Sequence, residues 1–161
     1  MTDDLVRSPS RRGFLRSAAG AAGTVVLSVT PRSPGGASPQ AMQELIRKIV
    51  GEASLQSGKV KLDLPPLVEN GNVVPLTVSV DSPMTEADHV KAIHIVNEKN
   101  PQPHVISASF GPFAGRASVS TRIKLADSQQ VTAIAELSDG TFWSTSADVV
   151  VTIAACVEDL R

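Results

Sequence analysis

The sequence predicts an all-β protein: an immunoglobulin-like antiparallel β-sandwich of about seven strands with one short N-terminal helix. Short segments in which apolar and polar residues alternate recur between residues 59 and 153. Turn residues separate these segments, and no crossover helix lies between them, which is typical of a sandwich. Aromatic residues make up only 3% of the 161 residues. We therefore expect a core of Val, Ile, Leu and Ala, residues that suit strands.

One helix is expected ahead of the strands. Ser38 and Pro39 are residue types that favour the N-cap and the first helical position. Apolar residues then recur at intervals of three and four until Gly51, where the helix should end. These residues are Met42, Leu45, Ile46, Ile49 and Val50. We expect this face to pack on a sheet edge or on a partner, because the opposite face has too few Lys and Arg residues for insertion into a membrane surface.

The strands are predicted from alternation with a period of two residues. The clearest case is Ala117 to Leu125, in which apolar or Thr residues oppose Ser, Arg and Lys. Turn chemistry is expected at Glu69–Asn72 and Asn100–Pro103, and Ser138–Gly140 predicts a hairpin. The expected strands cover residues 59–64, 74–80, 90–97, 104–110, 117–125, 130–137 and 141–153.

The first 37 residues have the pattern of a cleaved export signal. A basic segment, "SRRGFLR" (residues 10–16), precedes a mildly apolar stretch rich in small residues. This stretch is shorter than the roughly 20 apolar residues of a stable membrane span, so no stable membrane insertion is expected. The adjacent Arg11 and Arg12 resemble a twin-arginine signal. The sequence thus predicts export of a folded protein to the periplasm, with the domain itself in residues 38–161.

Several kinds of site are not indicated by the sequence. The net charge is −1, and no basic patch points to nucleic acid. His89, His94 and His104 do not have the spacing of metal ligands, so neither a metal nor another cofactor is expected. The stretch "FGPFAGRAS" (residues 110–118) lacks a phosphate-loop pattern and is expected to be a shaped loop. Trp143 lies in an alternating segment and is expected in the core or an interface.

Cys156, the only cysteine, lies five residues before the last residue of the sequence, past the predicted final strand. It cannot form an internal disulfide. Autonomous nucleophilic catalysis would need a nearby base, whereas Glu158 and Asp159 disfavour the thiolate. A thiol on a tail can instead enter the active site of another protein. The residues alone leave two alternatives equally open: a carrier-arm thiol, and a thiol that is idle or forms dimers.

Three stretches of the chain are characteristic: "KLDLPPLVENGNVVPLTVSV", "FGPFAGRASVSTRIKLADSQQVTAIAELSDGTFW" and "VVVTIAAC". They resemble the SoxY family, the sulfur-carrier subunits of the bacterial thiosulfate-oxidising (Sox) system. The resemblance extends from Ala41 to Cys156 in one register. It implies an immunoglobulin-like sandwich that pairs with a SoxZ-like sandwich subunit, which travels with it. It also implies a carrier tail, here residues 154–161, rather than an enzyme.

The resemblance further implies that sulfur intermediates are attached to the cysteine that matches Cys156. The loaded carrier would then serve a haem c sulfur transferase, a thiol sulfate hydrolase and a sulfane dehydrogenase. The family ends in Gly-Gly-Cys-Gly-Gly, whereas this chain has Ala154 and Ala155 before the cysteine and "VEDLR" after it. Glycine gives the freest backbone, and a β-branched Val157 is stiffer.

Three alternatives to a thiosulfate carrier follow from these residues. A divergent SoxY paralogue would carry another sulfur compound or act only in assembly, because its altered tail no longer enters the transferase. A thiol-dependent oxidoreductase or transferase would need a second cysteine or a local base, and the tail has neither. An adhesion-type sandwich would use Cys156 for intermolecular disulfides.

Overall fold

Two β-sheets packed face to face form the body of the protein in a computed structural model, which describes residues 38–155. The chain forms one helix and nine strands within this range. The helix α1 spans Pro39–Val50, and the strands are β1 (Leu55–Gln56), β2 (Val60–Asp63), β3 (Leu67–Asn70), β4 (Val74–Val80), β5 (Val90–Asn97), β6 (His104–Ser109), β7 (Ala117–Ile123), β8 (Gln129–Leu137) and β9 (Phe142–Ile153).

The larger sheet has the strand order β1-β9-β8-β5-β6, and β3 also pairs with β9. The smaller sheet has the order β2-β4-β7. All pairings are antiparallel except those of β1 and β3 with β9, which are parallel. The predicted fold class is confirmed, and each of the seven expected strands is present within one or two residues of its predicted ends.

Two short strands, β1 and β3, were not predicted. Their segments, "LQ" and "LVEN", show no useful alternation, and they become strands by pairing with the long β9 far along the chain. The predicted turn at Glu69–Asn72 is therefore partly wrong. Glu69 and Asn70 end β3, and the turn itself begins at Gly71.

The core lies between the inner faces of the two sheets and is aliphatic, as the composition predicts. Its fully buried side chains include Val74 and Val78 from the smaller sheet and Ile93, Ile95 and Val131 from the larger one. Burying each such side chain contributes about 1.5–3 kcal/mol. Among the described residues, the largest fully buried side chains include no aromatic one. Trp143 packs against this core while remaining partly exposed.

The helix α1 covers the outer face of the larger sheet. Its buried Met42 and Ile46 form a second apolar cluster with Val96, Ile134 and Phe142. The Ser38 Oγ caps the helix by accepting a hydrogen bond from the Ala41 N–H at 3.1 Å. The helix ends at Gly51, as predicted. The apolar stripe of α1 is therefore used within the chain, on a sheet face rather than on an edge. No helix in residues 38–155 is long and apolar enough to cross a membrane.

The contact between α1 and the sheet predicts a measurable contribution to stability. Met42→Ala removes a side chain that is 3% exposed, and we expect it to lower the free energy of unfolding by about 2 kcal/mol. The neighbouring Gln43→Ala changes an exposed position of the same helix and should change it by less than about 0.5 kcal/mol. Urea unfolding followed by circular dichroism measures both. Equal effects would show that α1 does not pack as described.

Candidate functional site at the root of the C-terminal tail

The predicted site residues Cys156, Arg11 and Arg12 lie outside the described residues. The structure does describe Ala154 and Ala155, which immediately precede Cys156 and follow β9. The point where the tail leaves the sandwich is therefore the part of the candidate site whose geometry is known.

Three backbone hydrogen bonds hold the root of the tail. The Gly71 N–H donates to the Ile153 carbonyl at 2.8 Å, and the Leu125 N–H donates to the Gly71 carbonyl at 2.8 Å. The Ala155 N–H then donates to the Leu125 carbonyl at 3.0 Å. We call these four residues, Gly71, Leu125, Ile153 and Ala155, the tail clamp. Leu125 is fully buried and Ala155 is 8% exposed, so the tail is held against the body until the residue before Cys156.

The tail clamp leaves no room for a side chain at position 71, so this position requires glycine. A Cβ atom at this position would lie 2.4 Å from the Leu125 carbonyl oxygen and 2.9 Å from the Ala155 nitrogen. Both distances are shorter than real Cβ contacts, and both atoms belong to the backbone, which cannot turn aside as a side chain does. The close approach of three backbone segments therefore depends on glycine. The sequence predicted a turn here but not this approach.

The loop that carries Leu125 is braced by the side chain of Asn100. Its Nδ2 donates to the Lys124 carbonyl at 2.8 Å, and its Oδ1 accepts from the Ala126 N–H at 2.9 Å. The same oxygen accepts from Gln129 Nε2 at 2.9 Å, and Gln129 is itself buried. Hydrogen bonds on both sides of Leu125 therefore fix its carbonyl in the position where Ala155 meets it.

The same end of the sandwich carries a pair of opposite charges. Lys99 Nζ lies 3.0 Å from Asp127 Oδ2, and both side chains are exposed. This hydrogen bond from Lys99, together with the Ser128 backbone N–H, holds the pKa of Asp127 below its usual value. Ser128 also contacts the last strand, because its Oγ accepts from the Val151 N–H at 2.9 Å.

Four exposed apolar residues lie on β3, on β9 and in the turn after β3, towards the end of β9 from which the tail leaves. Leu67 and Val150 lie side by side on β3 and β9, Ile153 ends β9, and Val73 follows the Gly71 turn. Each of the four is more than half exposed, and they are four of the six exposed large apolar residues in the described range. We call this set the apolar rim. Adjacent exposed apolar residues, here Leu67 and Val150, are typical of a surface that meets another protein.

Two of the three histidines, His94 and His104, lie close together on the neighbouring strands β5 and β6 rather than at the root of the tail. His94 Nδ1 is 2.7 Å and His104 Nε2 is 2.9 Å from the Ser107 hydroxyl. Burial lowers the pKa of His94, Glu136 opposes this, and His104 adds to the lowering. Within residues 38–155 no group of three His, Cys, Asp or Glu side chains is placed to hold a metal ion. His89 lies elsewhere, in a loop where its ring contacts the Thr85 carbonyl.

The opposite end of the sandwich holds the other residues considered from the sequence. Trp143 Nε1 donates to Thr141 Oγ1 at 3.1 Å, and Lys59 Nζ lies 5.0 Å from the centre of the Trp143 ring. Residues 110–116 form a loop between β6 and β7, as expected, and Phe113 on this loop is exposed. The strand register places this loop near the start of β9, whereas the tail clamp lies at its end.

Comparison with known proteins places this geometry in a family. The family model described as sulfur oxidation protein SoxY matches residues 46–156. The chain belongs to the SoxY family. The resemblance seen in the sequence is thereby confirmed, and the match ends on Cys156, so the "VEDLR" segment lies beyond it. A search of curated proteins found no match.

Solved structures agree with the SoxY assignment. The sulfur carrier protein SoxY from Chlorobium limicola f thiosulfatophilum is 25% identical, with a TM-score of 0.61, covering 72% of this chain and 100% of that one. A superoxide reductase (neelaredoxin) from Ignicoccus hospitalis is 20% identical, with a TM-score of 0.53, covering 58% of this chain and 80% of that one. The second likeness shows a shared fold alone.

Proposed function

We propose that this SoxY-family protein is a non-catalytic, periplasmic sulfur carrier that holds intermediates of thiosulfate oxidation covalently on Cys156. The observation on which this proposal rests is the family match, which covers the sandwich and ends on the only cysteine of the chain. The similarity to a solved sulfur carrier protein SoxY supports it. The tail clamp supports it as well, because it holds the residue before Cys156 against one end of the sandwich.

The proposed loading step forms a sulfur–sulfur bond between the cysteine and thiosulfate. The thiol loses its proton, the outer sulfur of thiosulfate bonds to Sγ, and two electrons leave one at a time, each reducing one ferric haem centre of a haem c sulfur transferase or of its electron acceptor. The product is a cysteine S-thiosulfonate, Cys–S–S–SO3−. A thiol sulfate hydrolase then adds water and releases sulfate and a proton, which leaves a cysteine persulfide for a sulfane dehydrogenase. The carrier supplies the thiol, and the partner enzymes supply the redox and hydrolytic groups.

Intact mass after loading tests the proposal. We expect the protein, in complex with its SoxZ-like subunit, to gain the mass of one S2O3 group when it is incubated with thiosulfate and the oxidised haem c sulfur transferase. Cys156→Ser should gain nothing, because this chain has no other cysteine. Absence of the adduct on the wild type, or an equal adduct on Cys156→Ser, would contradict the proposal.

One further variant separates the proposed carrier from a divergent paralogue. Replacing the last eight residues, "AACVEDLR", with "GGCGG" restores the family ending. If only this variant is loaded by thiosulfate, the native protein carries another sulfur compound or acts in assembly. If the native protein is loaded at a similar rate, it is a thiosulfate carrier with an unusual tail.

We further propose that a SoxZ-like sandwich subunit binds at the apolar rim. The helix α1 is the less favourable surface, because Met42 and Ile46 are already buried against the sheet. Leu67 and Val150 instead form an adjacent exposed pair on β3 and β9. Burial of such a pair in an interface would add to affinity through the area removed from water.

The double variant Leu67→Ser, Val150→Ser tests the proposed interface. We expect its affinity for the SoxZ-like subunit to fall at least about tenfold, or about 1.4 kcal/mol, as measured by isothermal titration calorimetry. Phe113→Ser is the matched control, because it removes an exposed apolar side chain at the opposite end of the sandwich and should leave binding unchanged. A loss of affinity only in Phe113→Ser would place the interface at that end instead.

Periplasmic localisation is proposed from the twin-arginine segment and tested through the two arginines. The double variant Arg11→Lys, Arg12→Lys keeps both positive charges but removes the guanidinium pair. We expect the protein, and the SoxZ-like subunit that travels with it, to stay in the cytoplasm with the signal uncleaved. Cell fractionation with immunoblotting measures this, and Arg7→Lys is the control outside the pair. Unchanged export of the double variant would point to another route.

A further inference from the structure

We infer that His94 and His104 form a binding site for a divalent transition-metal ion, copper(II) or zinc(II), on the outer face of the larger sheet. One imidazole nitrogen of each ring lies within hydrogen-bonding distance of the same atom, the Ser107 hydroxyl oxygen. The site lies on β5 and β6 and does not depend on the proposed sulfur-carrier function.

A β-bulge in β6 brings the two histidines onto one face of the sheet. Two successive residues of β5 pair with Ile106 and His104, so Val105 between them has no partner in β5. In a regular strand, side chains alternate between the two faces, and residues 104 and 107 would point to opposite sides. The extra residue cancels this alternation, because Val105 and Ile106 both pack against the core while His104 reaches Ser107. Bulges re-aim side chains in this way, and this one directs His104 to the face that carries His94.

The two rings are close enough to share one ion. His94 Nδ1 is 2.7 Å and His104 Nε2 is 2.9 Å from the Ser107 oxygen, so the two nitrogens are separated by no more than the sum of these distances. An ion with metal–nitrogen bonds of about 2.0–2.1 Å needs its two imidazole nitrogens about 3–4 Å apart. His104 is exposed, so its ring can turn to close the remaining gap without a change in the backbone.

The environment of His94 favours the neutral imidazole that a metal needs. Burial lowers the pKa of His94, and the Glu136 carboxylate opposes this effect. A lowered pKa keeps the ring neutral near neutral pH, and the neutral ring is the form that binds a metal. Glu136 is itself paired with Lys91, so the imidazoles rather than this carboxylate supply the ligands.

The ligand set indicates the class of ion. Imidazole nitrogen suits copper and zinc, whereas Mg²⁺ and Ca²⁺ prefer oxygen ligands. Within residues 38–155 no group of three His, Cys, Asp or Glu side chains is placed on one ion, so water fills the remaining coordination positions. Cu²⁺ should bind such a site more tightly than Zn²⁺. The spacing of the histidines in the sequence did not predict this pair, because strand pairing and the bulge assemble it.

A bound ion would connect the edge of the larger sheet to its neighbour. β6 is the last strand in the order of that sheet, beside β5, and each of the two strands supplies one histidine. The unfolded chain does not hold the two imidazoles together. An ion that binds the folded state preferentially stabilises it in proportion to the logarithm of its concentration, so copper should raise the midpoint of thermal unfolding.

Copper binding to the purified full-length Cys156→Ser protein, produced without a histidine tag, tests the inferred site. This background removes the one thiol of the chain, which would itself bind copper. We expect one Cu²⁺ ion per chain by isothermal titration calorimetry. Pulsed electron paramagnetic resonance should show two coordinated imidazoles, and the midpoint of thermal unfolding should rise with added Cu²⁺.

Replacing one histidine at a time identifies the ligands. His104→Gln changes an exposed position, and it should leave one coordinated imidazole and weaken copper binding at least tenfold. His94→Gln should have the same effect. His89→Gln is the matched control, because His89 lies in a loop where its ring contacts the Thr85 carbonyl, and it should bind copper as the parent does. Ser107→Ala retains both imidazoles and should still show two of them on the ion.

Absence of bound copper in the Cys156→Ser protein, or two coordinated imidazoles that persist in His104→Gln, would overturn the inference. A loss of affinity in His89→Gln equal to that in His104→Gln would do the same, because the ion would then not select this pair. Copper binding should also weaken at least tenfold between about pH 7.5 and about pH 5.5, since both imidazoles must be neutral to coordinate. An unchanged affinity over this range would contradict ligation by imidazole.

Discussion

The pairing of β9 with three other strands, β1, β3 and β8, holds the larger sheet together. β9 is twelve residues long, pairs antiparallel with β8 over most of its length, and pairs in parallel with β1 near its start and β3 near its end. Its inner residues join the aliphatic core, while Phe142 on its other face contacts the cluster under α1. The direction of β9 also decides where residue 155 leaves the body. Stability and the placement of the proposed thiol are therefore properties of one element.

The sequence was sufficient for the parts of the fold that depend on local patterns. Alternation predicted β4 and β5 at their observed ends, and the Ser38 cap and Gly51 bounded α1 correctly. The sequence was insufficient where a segment distant in the chain decides whether a residue lies in a strand or must be glycine. β3 is a strand because β9 lies beside it, and Gly71 is required because the backbones of residues 125 and 155 approach it. Neither fact is visible in a window of neighbouring residues.

For the candidate site, too, the sequence predicted what local residues indicate and missed the long-range contacts. The position of Cys156 and the family resemblance indicated the end of the chain as the place for chemistry, and this stays a prediction because Cys156 lies outside the described residues. The sequence also treated the tail as beginning at Ala154. The structure shows a buried Ala155 bonded to the Leu125 carbonyl, a long-range contact that the flanking residues do not encode. From the sequence, the histidines could be judged as metal ligands only by their spacing. In the structure His94 on β5 and His104 on β6 both lie within hydrogen-bonding distance of the Ser107 hydroxyl.

The parallel pairing of β1 with β9 has a consequence for the timing of biogenesis. Leu55 meets Phe142, 87 positions later in the chain, so the first strand of the sandwich has no neighbour until the last strand has been synthesised. Contacts of such long sequence separation form late and slowly. The larger sheet of the nascent chain is therefore completed only after β9 has been synthesised.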